Sequence, residues 1–169
     1  MKKVYLIISL ILSFAQSQQD SFTSVFGIGT GKKLVQSNDG GFIIGGETYE
    51  GGSGSLDYIL IKADESGNHE TTVMSNDASR FGDVAPSIDN GFVLTGMNYQ
   101  GDNQAFIKKF DLNGNIEWEN YFWTDSIQDI YSIKQTEDLG YVLAGRISEP
   151  FDLDVLLMKF DAQGNQVWL

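Results

Sequence analysis

Cysteine is absent from this sequence, and histidine occurs once, at His69. Without cysteine there is no disulfide framework and no lipid-modified cysteine to anchor the chain. A serine-histidine-acid triad or a histidine-bearing zinc site would have to rest on His69 alone. That residue follows a predicted hairpin turn and reads as an ordinary strand position. Basic residues are also scarce, with 11 Lys+Arg against 23 Asp+Glu and a formal charge of −12. Nucleic acids and anionic membrane surfaces are held by basic patches, so neither is an expected partner. The acidity reads as solubility of an outer surface. No Asn-x-Ser/Thr acceptor occurs, and no Pro-rich or charge-run linker divides the chain.

Long apolar runs are missing except near the start. Lys2 and Lys3 precede the apolar region Val4 to Ala15, and Ala15-Gln16-Ser17 places small residues at the −3 and −1 positions. That order predicts a secretory signal over 1–17, cleaved before Gln18. Twelve residues are too few to cross about 30 Å of hydrocarbon as a helix, so no membrane association is expected after cleavage. Removing two lysines and no acid leaves 9 Lys+Arg against 23 Asp+Glu, a formal −14. The expected location is outside the cell, or the periplasm in a bacterium. The remaining 18–169 suffice for one domain with its own core, stabilised by apolar packing.

What the rest does have is repetition, about every 50 residues. A Gly-aromatic pair opens an apolar strand at Gly41-Phe42, Gly91-Phe92 and Gly140-Tyr141. Downstream, Lys-x-Asp-x-x-Gly-Asn recurs at Lys62, Asp64, Gly67; at Lys109, Asp111, Gly114; and at Lys159, Asp161, Gly164. Trp118 and Trp168 each stand four residues after the glycine, where the first copy has Thr71. The copies span about 27–75, 76–123 and 124–169. Each has room for four short strands. They are placed at Lys32–Gln36, Phe42–Thr48, Tyr58–Ala63 and His69–Met74; Gly82–Ile88, Phe92–Tyr99, Ala105–Phe110 and Ile116–Phe122; then Ile130–Gln135, Tyr141–Ile147, Val155–Phe160 and Gln166–Leu169. Asp20 to Phe26 adds a possible lone strand, with Phe22 near the slot that Trp118 fills in its own copy. The second and third strands of each copy are almost continuously apolar, as strands covered on both faces are. Pro86 lacks a ladder donor, so the strand carrying it is expected at an edge or at a bulge.

The Asp-x-x-Gly turns have a physical reading. Asp64, Asp111 and Asp161 can each cap a type I turn with the side chain. Gly67, Gly114 and Gly164 can take φ > 0 and form the bulge that sends the chain back. The spacing does not suit a calcium loop, which needs ligands at alternate positions and glycine at the sixth. No metal and no cofactor is expected.

These motifs resemble those of a family of secreted β-propeller-like repeat proteins. The third copy carries the likeness best, with Ser132, Ile133, Gln135, Thr136, Asp138, Gly140, Tyr141, Val142, Leu143, Ala144 and Gly145, then Asp154, Lys159, Asp161, Gly164, Asn165 and Trp168. The first keeps Gln36, Asp39, Gly40, Gly41 and Asp57. The second departs most, with Pro86 and Gln104 at positions otherwise held by Gln and Asp. The Asp-x-x-Gly-x-x-x-Trp ending is also similar to the tryptophan-docking turn of quinoprotein propellers, one residue shorter and without their cofactor-binding residues. The resemblance implies an all-β chain of about three propeller-like blades, each of four antiparallel strands, forming an incomplete ring. It implies nothing about activity.

No catalytic set is identified. Gly27-Ile28-Gly29-Thr30-Gly31-Lys32-Lys33 lacks the first glycine and the Ser/Thr of a phosphate loop, and no helix follows it. Gly51-Gly52-Ser53-Gly54-Ser55 lacks the closing glycine of a nucleophile elbow. A glycosidase-like carboxylate pair cannot be picked from so many acids. Trp118 and Trp168 recur with the repeat and read as packing residues. Trp123 does not recur and is the one aromatic suggested as a ligand contact. The expectation is a secreted, non-catalytic binding or structural module. A carbohydrate-binding or carbohydrate-processing module is the alternative, and a fragment of a longer propeller is the third reading. Three copies leave two sheet faces uncovered, so self-association that completes a ring is also expected, with a protein or glycan ligand left open.

Overall fold

The computed structural model describes residues 24–27, 29–100, 103–122, 127–149 and 152–168. The predicted signal over 1–17, Phe22 and Trp123 lie outside them. All the regular structure described is β-strand. β1 (Thr30–Gln36), β2 (Phe42–Thr48), β3 (Asp57–Ala63) and β4 (His69–Met74) form sheet one. Sheet two contains β5 (Ser79–Pro86), β6 (Phe92–Asn98), β7 (Gln104–Phe110) and β8 (Ile116–Phe122). Sheet three contains β9 (Ile127–Gln135), β10 (Tyr141–Glu149), β11 (Asp152–Phe160) and β12 (Gln166–Trp168). Each strand pairs antiparallel with its successor, so each copy of the repeat folds as one four-stranded meander. The sheets stack in chain order, one on two and two on three, and the stack is open.

The turn chemistry repeats three times. Asp64 Oδ1 accepts the Ser66 and Asn68 amides at 2.9 and 2.8 Å, and Asn68 Nδ2 donates to the other oxygen. The same set closes at Asp111 and Asp161. Gly67, Gly114 and Gly164 have φ of +79°, +85° and +81°. A register shift adjoins each turn, with Glu70, Glu117 or Val167 as the surplus residue on the fourth strand, as a bulged return requires.

A lysine near the end of each third strand, buried in sheets one and two and half-buried in sheet three, reaches the turn between the first two strands. Lys62 Nζ reaches Asp39 at 2.8 Å and Glu70 at 3.0 Å; Lys109 reaches Asp89 at 2.9 Å and Glu117 at 2.7 Å; Lys159 reaches Asp138 at 2.7 Å. The Lys62 ammonium, helped by Ser37, lowers the Asp39 carboxyl to about 2, and Lys159 with Thr136 does the same to Asp138. Both groups start from 3.8. A carboxyl lowered by folding stabilises the fold fully above its unfolded value, and that contribution is lost as pH falls through the folded value. The melting temperature is therefore expected to fall between pH 4 and pH 2, and to fall less in an Asp39→Asn, Asp138→Asn double variant. Thermal melts across that range check this; parallel declines in both proteins would contradict it.

The core lies between the sheets. Ile43, Tyr58 and Leu60 of sheet one meet Phe81, Val84, Phe92, Leu94, Phe106 and Phe110 of sheet two. Val93, Met97, Ala105 and Ile107 of sheet two meet Ile130, Ile133, Tyr141, Leu143, Leu156, Met158 and Phe160 of sheet three. β3 and β6 are buried at every position, as their continuous apolar sequences predict. β11 departs from that expectation. Leu156, Met158 and Phe160 are buried against sheet two, whereas Leu153, Val155 and Leu157 alternate outward and are exposed. The reason is topological: among the described residues, only one face of sheet three has a neighbour.

Several boundaries also differ: β1, β3, β7, β9 and β11 begin one to three residues earlier than expected, and β10 ends two residues later. β5 runs from Ser79 to Pro86 rather than from Gly82 to Ile88. Ser87 instead opens the turn, donating its amide to Gly91 O while accepting from the Asn90 amide. Pro86 thus ends an edge strand. β6 stops at Asn98 rather than Tyr99, because Tyr99 lies beyond the last ladder pair, Asn98 with Gln104. The possible lone strand is not formed over Ser24–Phe26. Those residues make no sheet ladder; the Ser24 hydroxyl donates instead to Gly67 O at 2.7 Å.

Candidate functional site

The first strand of each sheet carries a bulge at the same register position. Lys32, Gly82 and Tyr131 are the surplus residues, each skipped between two ladder pairs. A bulge re-aims side chains and bends the strand, which is why bulges so often border functional sites. Here all three line one cleft of about 240 Å³, together with Arg80, Tyr99 and Asp129. Glycine is required at the middle bulge. A Cβ on Gly82 would lie 2.6 Å from Ile130 O and 2.9 Å from Thr95 O, so the neighbouring backbone could not approach.

The cleft is charged and aromatic. Glu47, itself buried, is bridged by Lys32 at 2.5 Å and by Arg80 Nε at 3.1 Å. Asp129 is bridged by Arg146 at 2.7 Å and accepts the Tyr131 hydroxyl at 3.1 Å. The Arg80 and Arg146 guanidinium carbons each stand 6.0 Å from the ring centre of Tyr99 and Tyr131, respectively. The Glu47 carboxylate holds the Arg80 guanidinium above its ordinary value. Burial raises the Tyr99 phenol, and Asp129 adds to that rise. Burial raises Tyr131 also, with the bond to Asp129 contributing. Both phenols are therefore neutral near pH 7 and can donate or accept a hydrogen bond. The arrangement offers two flat rings, three cations and two engaged carboxylates to a polar ligand.

The repeat positions fall elsewhere. Asp64, Asp111, Asp161 and their glycines sit at turn tips on three different sheets and serve the turns. Gly41, Gly91 and Gly140 pass so close to the third strand that a Cβ would lie 2.2 to 2.4 Å from its carbonyl oxygens. Trp118 packs edge-on to Tyr141, with ring centres 5.8 Å apart, while Trp168 is exposed on the outer face of sheet three. His69 is exposed and bonds Thr72 Oγ1. Among the described residues, no three His, Asp or Glu side chains are placed to share a metal ion. The cleft residues escaped the sequence analysis because none belongs to the three recurring motifs. In the folded chain Thr30, Arg80 and Asp129 occupy one register position and differ in charge.

No protein-family model matches the chain, and a search of the curated proteins finds no match.

Proposed function

We propose that this protein is an exported repeat module of the propeller type that acts by binding rather than by catalysis. The observation that carries the reading is the cleft at the three bulges. On a frame whose recurrent residues are occupied with turns and stacking, it gathers Lys32, Arg80, Asp129 and Tyr131, which do not recur, together with Tyr99, whose counterpart in the first copy is Tyr49. Flat rings beside fixed charges suit a polar ligand that presents a face to stack and hydroxyls to bond. A carbohydrate is the ligand class that this favours.

A glycan array and a glycoside-hydrolysis screen on the wild-type chain separate binding from processing. Binding without turnover is expected. Tyr131→Ala is expected to weaken capture about tenfold through loss of stacking. Turnover of any glycoside that is abolished by Asp129→Asn would make the protein an enzyme. Capture that is indifferent to Tyr131 would remove the cleft from the account.

A further inference from the structure

The outer face of sheet three repeats an interface that the fold has already used twice. Cross-strand registers place Tyr58, Ala105 and Val155 at one position, and Leu60, Ile107 and Leu157 at another. Tyr58 and Ala105 are 3% and 1% exposed, whereas Val155 is 89% exposed. Leu60 and Ile107 are 1% and 0% exposed, whereas Leu157 is 50% exposed. The difference is not in the residues, which stay apolar, but in the presence of a following sheet. Trp168 extends the pattern. Its counterpart Trp118 lies against Gly164 of the next sheet, where a Cβ would come 2.5 Å from the indole. Trp168 has no such turn against it among the described residues.

Sheet one presents the matching face. Leu34, Ile44 and Ile59 stand in register with Val84, Leu94 and Phe106, which sheet two turns toward its predecessor. Leu34 is exposed. A further detail points the same way. Asn120, on the fourth strand of sheet two, donates to Gly164 O of sheet three at 2.7 Å. Gly67 is the corresponding glycine of sheet one, and its carbonyl accepts from Ser24 at 2.7 Å. A fourth-strand position before sheet one is thus already marked by a hydrogen bond of the same kind. At the far end, Arg146 Nε is buried without an acceptor among the described residues. Arg146 occupies the register position of Glu47, which bridges to Arg80 of the following sheet. The position of Arg80 is held in sheet one by Thr30, whose hydroxyl can accept.

We infer that the outer face of sheet three docks on sheet one of a second copy of this chain, head to tail, in the register of the two internal interfaces. Val155, Leu157 and Trp168 of one copy then cover Leu34 and Ile44 of the other. A head-to-tail contact closes into a ring or runs on as a filament. Two chains with two such contacts close a ring of six sheets, and the closed form is the one inferred.

Light scattering coupled to size exclusion tests this on the wild-type chain at 50 µM, a concentration of about the order where moderate interfaces are filled. The expected result is the mass of two chains. Leu157→Glu and Leu34→Glu each damage one half of the contact and are expected to raise the dissociation constant about 30-fold or more, as loss of a hot spot does. Mixing the two variants leaves one undamaged contact between them, so the mixture is expected to recover a two-chain species that neither variant forms alone. A wild-type monomer at 50 µM overturns the inference. So does a dimer that both variants retain. Circular dichroism identifies a variant that fails to fold, and the wild-type mass decides the matter if either does. None of these readings involves the cleft, so they stand or fall apart from ligand binding.

Discussion

Gly114→Val is expected to lower the melting temperature by about 10 °C, and Asn113→Ser by about 1 °C or less. Two independent penalties meet at Gly114. Its φ of +85° lies in the region where a β-branched residue is a genuine outlier, costing about 1–3 kcal/mol. The second is crowding. A Cβ there would lie 2.6 Å from Val73 Cγ2 and 2.9 Å from Thr71 Cγ2, both on the preceding sheet, and overpacking costs about 1–3 kcal/mol more. At about 2–4 °C per kcal/mol for a domain of this size, a loss near 10 °C follows. Asn113 is exposed, and its only bond at the turn is made by its backbone amide, which serine retains. Thermal melts of the two variants decide the point. Equal melting temperatures would remove both the strain and the contact between sheets from the account.

That comparison shows what was legible in the sequence. The Asp-x-x-Gly-Asn spacing is local chemistry, so it located the turns, and the turns located all twelve strands. Pairing follows, because short turns leave antiparallel neighbours no other choice. Legibility ended where a residue's place depends on a partner strand. The bulges at Lys32, Gly82 and Tyr131 exist only relative to β2, β6 and β10, so the cleft they frame could not be read along the chain. Lys108 was hidden for another reason. Lysine is almost never fully buried unless paired, so it reads as a surface residue. Here it is buried between sheets one and two, 3.1 Å from Glu119 and over the rings of Tyr58, Phe106 and Tyr121. Burial alone would push its ammonium down, but the Tyr58 and Tyr121 phenols and Glu119 outweigh that and raise it. The alternation of β11 misled in the opposite direction. Its apolar run described a strand covered on both faces, and among the described residues one of those faces has no cover. Trp123, the aromatic singled out by its failure to recur, lies outside the described residues. Of the aromatic residues that the cleft does hold, Tyr131 does not recur either, whereas Tyr99 has a counterpart in Tyr49 one repeat earlier.

Phe106→Ala is expected to be among the most damaging single changes in the chain. The ring is fully buried where sheet two meets sheet one, with centres 5.9 Å from Tyr58 and 6.2 Å from Tyr121. Its edge also fills the space left by Gly96, where a Cβ would come 2.8 Å from the ring. Truncating a buried phenylalanine costs about 3–5 kcal/mol, from lost transfer energy and from the cavity that remains. The variant additionally removes one of three aromatic faces from Lys108, 5.2 Å away. A cation–π contact is worth about 0.5–2 kcal/mol when desolvated. A double-mutant cycle separates the two contributions. Replacing Lys108 by methionine exchanges a buried charge for an apolar chain of similar length, a change that is often neutral or stabilising. If the ring supports the ammonium, Phe106→Ala costs less in the Lys108→Met background than in the wild type, by about the cation–π contribution. Urea melts with an unchanged slope would show that only stability moved. An identical cost in both backgrounds would mean that Phe106 acts as packing alone, and that Tyr58, Tyr121 and Glu119 suffice to hold the lysine between the sheets.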